Sequence, residues 1–240
     1  MEILFSGLAA GVPCLMIGGF AALVITLIVY SIMKARERRE ALAKLAAEWG
    51  FQFYPTDPWD LPVRYNQFEL FDTGHSRHAA NILTGQIDGR TVVVCDYSYK
   101  TGSGKNESTH SYQAAVMQLP ILAPRMRMRP EGVLDRVASW VGHEDLDFES
   151  DEFSRRYYVT SDDRKFAYDI FHTRLIEYLL KCGQAPLLEM QGPLLVVYNT
   201  QAGIENFRRL LEIGRQIIDS IPDYVRTARG TGAQTGGPPV

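Results

Sequence analysis

Ala79-Ala-Asn-Ile-Leu-Thr-Gly-Gln86, then Asp88-Gly89, then Arg90-Thr-Val-Val-Val-Cys-Asp-Tyr-Ser-Tyr-Lys100, reads as two strands joined by a tight turn. β-Branched and aromatic side chains dominate the second run, and Asp-Gly readily adopts the left-handed backbone that two-residue hairpins need. Thr101 to Asn106 is a glycine-containing loop, and Thr109 to Leu119 returns as a third strand. A meander of this kind makes the sheet antiparallel. Regular strand–helix–strand alternation is missing, so an α+β layout is expected rather than a doubly wound one.

Working outward, prolines 55, 58 and 62 interrupt any helix before the meander, and a short strand is expected over Phe68 to Phe71. Beyond it, Arg125 to Arg129 alternates Arg and Met, as a strand with two unlike faces would. Pro130 suits the first turn of a helix reaching Val141. Strand patterns follow at Asp145 to Glu149 and Phe153 to Thr160, and Ser161 is placed to cap a helix. The apolar stripe of that helix runs from Ala167 to Cys182. Leu187 to Tyr198 reads as a hairpin bent at Gly192-Pro193, and Ile204, Phe207, Leu211, Gly214, Ile218 and Ile221 line a last helix. The expected fold is an N-terminal transmembrane helix followed by a mostly antiparallel sheet with helices packed on one face.

The transmembrane expectation rests on the chain's start. Ile3 to Met33 contain no charged side chain, and Lys34, Arg36, Arg38 and Arg39 follow at once. A window from Gly11 to Met33 would extend ~35 Å as a helix, against a ~30 Å hydrocarbon core. A cleaved signal peptide would want a basic start and a shorter apolar core, and neither is present. The basic stem after the apolar run predicts the N-terminus outside and the rest in the cytoplasm of a bacterial plasma membrane. The expected partition is an anchor over 1–33, a juxtamembrane amphipathic helix over 34–50, a cytoplasmic domain over 51–222 and a disordered tail over 223–240.

The 240 residues carry 25 Lys plus Arg against 28 Asp plus Glu. Residues 34–48 hold five basic and three acidic groups and Glu2 precedes them, which leaves 20 basic and 24 acidic from Trp49 onward. A folded part more acidic than its stem argues against a nucleic-acid binder. Cys14, Cys95 and Cys182 show no CxxC spacing, so neither a disulfide framework nor a zinc knuckle follows. No cofactor motif is present, because Thr101-Gly-Ser-Gly-Lys105 lacks the first glycine, the final Ser or Thr and the following helix of a phosphate loop.

Candidate site residues are few. Cys95 and His110, with the loop centred near Ser103, become diagonal neighbours on one sheet face and form a candidate nucleophile pair. A cysteine inside Val92-Val-Val-Cys95 equally fits a buried structural thiol. His75 and His78 lack partners at metal-ligand spacing, so no metal site is expected. Asp145, Asp147, Glu149 and Asp151 form an acidic ridge without the pattern of a calcium loop. Arg125, Arg127 and Arg129 would project from one strand face, as a contact for lipid phosphate, an acidic peptide or that ridge, or simply as a charged edge.

The pattern Tyr65-Asn-Gln-Phe-Glu-Leu-Phe71, Gly74, Asn81, Gly85, Asp96-Tyr97-Ser98-Tyr99, Gly102 and Gly104 resembles a family of uncharacterised bacterial membrane-anchored proteins. The resemblance continues through Arg129-Pro130-Glu131 and Asp145-Leu-Asp-Phe148 to Phe153. It implies a bacterial cytoplasmic-membrane protein and supplies no activity, cofactor or catalytic residue. The expected function is a membrane-anchored, non-catalytic module that binds lipid through residues 11–33 and engages a protein partner or a second copy. The alternatives are a membrane-associated hydrolase using Cys95 and His110, or a sensor of anionic lipid.

Overall fold

The computed structural model describes residues 3–131, 146–183 and 185–230. Contacts divide the chain into two units, residues 1–44 and residues 45–240. Helix α1 (Ile3–Trp49) makes up the first unit and ends in the second, where Gly50 takes a left-handed φ of 68° and stops it. Among the described residues, no helix is long and apolar enough to cross a membrane. The expected transmembrane helix is therefore corrected, and the orientation argument drawn from Lys34 to Arg39 falls with it. Among the residues of α1 whose side chains are described, the exposed large apolar ones run from Phe20 to Met33, ~21 Å of helix.

The second unit is built on a six-stranded antiparallel sheet. Its strands are β1 (Gln52–Thr56), β2 (His75–Ile87), β3 (Arg90–Thr101), β4 (Ser108–Pro130), β5 (Tyr157–Ser161) and β6 (Leu187–Asn199). The meander is as expected. Asp88 and Gly89 both have positive φ, 52° and 73°, as a two-residue hairpin turn requires. The third strand is much longer than its pattern suggested. β4 pairs β3 along its first half, β5 along its last residues and β6 along both. Arg125 to Arg129 is thus the far end of β4, and Met126, Arg127 and Met128 are all buried because both sheet faces are covered there.

The helices cover both faces, which corrects the one-sided arrangement. On one face, α2 (Leu61–Arg64) and α3 (Glu69–Asp72) pack Leu61, Tyr65, Phe68 and Phe71 against Val93, Cys95, Tyr97, Ala114 and Val116. The neighbouring residue Met117 points the other way, where α7 (Ile204–Asp219) lies. The approach there is close enough that a Cβ on Gly214 would sit 2.3 Å from Met117 Sδ.

An amide network fastens the first turn of α7 to the sheet. Asn206 Nδ2 donates to Gln113 Oε1 and to Asn199 Oδ1, both at 2.8 Å, and its Oδ1 accepts from Asn199 Nδ2 at 3.0 Å. Gln113 Nε2 and Asn81 Nδ2 in turn donate to Asp96, each at 2.8 Å. Asn199, Asn206 and Gln113 are buried, so removing one member strands its partners away from water. Asn206→Ala is expected to lower the unfolding free energy by about 2–3 kcal/mol in urea titration, from unsatisfied groups more than from lost bonds.

Local readings fail where distant residues decide. Phe68 to Phe71 is not a strand, since Glu69 begins α3. Phe153 to Thr160 splits into α4 (Asp151–Arg156), capped by Ser150 Oγ on Phe153 N, and β5. The stripe from Ala167 to Cys182 breaks into α5 (Arg164–Ile170) and α6 (Thr173–Lys181) at Phe171-His172, and Asp163 rather than Ser161 caps α5. Leu187 to Tyr198 is one strand, not a hairpin, because β4 runs beside it throughout and Gly192, at φ 58°, only bends it. The expected disordered tail begins as α8 (Asp223–Arg229). The helix expected up to Val141, with Asp145 and residues 231–240, lies outside the described residues.

Candidate functional site

The end of α1, the end of β2 and one stripe of α7 enclose an apolar groove of about 290 Å³, lined by Trp49, Phe51, Ile87, Arg208, Leu211, Glu212 and Arg215. The sequence builds it from local rules. Gly50 ends the helix and turns Phe51 back, so that the Trp49 and Phe51 rings meet edge to face at 5.5 Å. The Phe51 ring then lies on Gly85 of β2, where a Cβ would fall 2.2 Å from it. Gly85 is needed at this position to admit the aromatic floor. On α7, positions 208, 211, 212 and 215 share one helical face.

The rim is charged, with Arg208 and Arg215 each set between two carboxylates. Arg208 lies over the Trp49 ring at 5.3 Å, donates to Glu48 Oε2 at 2.7 Å and stands 3.7 Å from Glu205. Arg215 Nε is 3.7 Å from both Asp88 and Asp219. Such exposed pairs add little stability. They do place donors and acceptors around an apolar floor, the composition of a small-ligand site at the low end of the usual ~300–1,000 Å³.

A second polar centre is fully interior. Glu189 of β6 accepts from the backbone N–H groups of Glu69 at 2.7 Å and Leu70 at 3.0 Å, and from the Tyr198 hydroxyl at 3.0 Å. Arg127 Nη1 donates to Glu69 Oε2, and Arg127 Nε stands 3.7 Å from Glu189 Oε2. The Arg127 and Glu69 side chains are only 7 % and 9 % exposed. Burial pushes the Glu189 carboxyl above its ordinary range, while Arg127 and the two backbone N–H groups pull it down. This cluster holds α3 on the sheet. Its partners, Glu69 and Glu189, escaped the sequence reading, although a carboxylate inside Leu187-Leu-Glu-Met190 was a usable signal of a buried, paired charge.

The structure separates the other candidates. Cys95 pairs with Ala114 and His110 with Tyr99. The two lie on one face but four residues apart along the strands, ~13 Å. The register expected for a nucleophile pair was off by two because a 3₁₀ turn at Gly104–Asn106 changes the loop geometry. Burial drives the Cys95 thiol well above its ordinary pKa. Iodoacetamide is expected to leave Cys95 unmodified in the native chain and to label it in urea, as read by peptide mass spectrometry. Native labelling at Cys95 would contradict its placement.

His110 instead stacks on Tyr99 at 5.0 Å and bonds Thr101 Oγ1 at 2.8 Å. Arg127 is committed to the interior carboxylates, and Arg129 lies over the Tyr158 ring at 4.4 Å. Arg125 is half-buried, and its carbonyl accepts from Asp162 N. The three arginines therefore do not form one exposed anion-binding face. In the stem, Lys34, Arg36 and Arg39 are exposed and Arg38 is half-exposed, with Arg36 bonded to Glu40 at 3.0 Å. Among the described residues, no group of three or more His, Cys, Asp or Glu is placed to hold a metal ion.

No family model and no curated protein sequence matches the chain. Among solved structures, the crystal structure of the mycobacterial trehalose monomycolate transport factor A, TtfA, has a similar fold, with a TM-score of 0.53 and 14 % identity over 77 % of this chain and 96 % of that one. At that identity the likeness concerns the fold.

Proposed function

We propose that this chain is a non-catalytic, membrane-associated binding protein. The observation that carries the reading is the surface of α1 from Phe20 to Met33. Ile25, Ile28 and Ile32 are 61 %, 52 % and 61 % exposed, and Leu23, Leu27 and Tyr30 on other sides of the helix are 56 %, 58 % and 63 % exposed. A helix apolar on every side needs an apolar environment, and a continuous patch of this kind marks an interaction surface. Lys34, Arg36 and Arg39 follow directly and suit a headgroup layer. The fold likeness to a protein described as a transport factor for trehalose monomycolate agrees with a role in binding rather than catalysis.

Flotation of the full chain with phosphatidylcholine vesicles tests the reading. The chain should rise with the vesicles at both low and high salt, because apolar burial rather than charge holds it there. A chain that stays at the bottom of the gradient at low salt contradicts it.

A further inference from the structure

The exposed apolar surface of α1 ends at Met33, and Lys34, Arg36, Arg38 and Arg39 follow it, against Glu37 and Glu40. We propose that this stem selects anionic phospholipid headgroups, so that the protein prefers acidic membranes to zwitterionic ones. The assignment deepens the proposed function and rests on its premise that Phe20 to Met33 meets lipid.

Arg39 lies only ~9 Å beyond Met33 along the helix. With the apolar turns in lipid, that spacing keeps each cation of the stem inside the ~10 Å over which a surface potential acts at 0.1 M salt. Lys34, Arg36 and Arg39 are exposed, and the Arg36 side chain stays 80 % exposed although it pairs with Glu40 at 3.0 Å. Glu37 and Glu40 are three positions apart and share one side of the helix. Four positive and two negative side chains give the stem a net charge of +2. The residues from Trp49 onward, 20 basic and 24 acidic, would weaken an anionic preference rather than supply it. An acidic membrane presents hydrocarbon and then negative charge in the order in which the helix presents isoleucines and then cations. A soluble acidic peptide matches only the second half of that order.

Flotation of the full chain tests the assignment, with vesicles of phosphatidylcholine alone or with about 30 % phosphatidylglycerol. Each net charge near an anionic surface changes partition ~5-fold, so the mixed vesicles should bind ~30-fold more tightly at low salt. At ~1 M salt, where the Debye length is ~3 Å, the two should bind alike. Lys34→Gln with Arg39→Gln makes the stem neutral and should erase the preference, with partition into phosphatidylcholine unchanged. Glu37→Gln with Glu40→Gln should widen the preference by a further ~30-fold. Both pairs place a good helix former at exposed positions, so the circular dichroism spectrum should not change. Equal binding to the two vesicles at low salt, or a preference that neither pair of substitutions moves, overturns the proposal. So does a preference that follows self-association of the chain in sedimentation rather than lipid composition. A chain that floats with phosphatidylcholine at both salts but shows no preference overturns this assignment and leaves the membrane reading standing. One that floats only with the mixed vesicles, and only at low salt, overturns the apolar contact and leaves the stem's role standing.

Discussion

Arg127→Ala should cost about 3–5 kcal/mol of folding free energy at pH 7.5, the expected penalty for stranding buried charge. Arg127 is the cation between Glu69 and Glu189, two carboxylates whose side chains are 9 % and 4 % exposed. Its loss leaves them facing each other. The same change should alter the pH dependence. The Glu189 carboxyl is already raised in the folded state, by burial above all, and Arg127 is the largest influence lowering it. An acid whose folded pKa is raised holds its proton more tightly when folded, so stability falls as pH rises from the unfolded value of ~4.3 toward the folded one. Without Arg127 that window extends upward. The deficit of the variant should therefore be smaller at pH 5 than at pH 7.5 in guanidinium titrations. A pH-independent deficit, or one below 1 kcal/mol, would mean that the cluster does not carry buried charge.

Replacing Ile25, Ile28 and Ile32 together by Glu should lower partition of the full chain into phosphatidylcholine vesicles by ~10³-fold or more. Each isoleucine contributes ~1.5–3 kcal/mol when it leaves water, and each 1.4 kcal/mol is a factor of ten. The three residues lie at i, i+3 and i+7 of α1, and all are more than half exposed. Their replacement therefore removes apolar surface without opening a core. The urea midpoint of the second unit should stay where it is. An unchanged partition would show that this surface does not touch lipid. Dissociation of an oligomer in place of lost vesicle binding would assign the surface to a second copy of the chain.

Local chemistry made the meander legible. Asp88-Gly89 between two β-rich runs can do little else, and its turn emerges as read. The stop at Gly50 and the apolar stripe of α7 were legible for the same reason, because a few neighbouring residues specify each. Distance hid the rest. The backbone at Glu69 and Leu70 turns helical where a carboxylate 120 and 119 residues away receives its N–H groups. β6 reads as a hairpin until its partner, the unusually long β4, is known. Arg127 looked like part of an exposed triad because alternation says which residues share a face but not whether that face is covered. The Cys95–His110 pairing failed on a two-residue register error, and in a sheet that moves contacts by ~7 Å. The groove was invisible for a simpler reason, as it joins residues from opposite ends of the chain.

The most direct test of the central claim, that the apolar surface of α1 associates this protein with lipid, is a high-salt wash of native membranes, without detergent. The account predicts that the intact chain stays in the pellet, because apolar contact rather than charge holds it there. Recovery of the intact chain in the high-salt supernatant would contradict it.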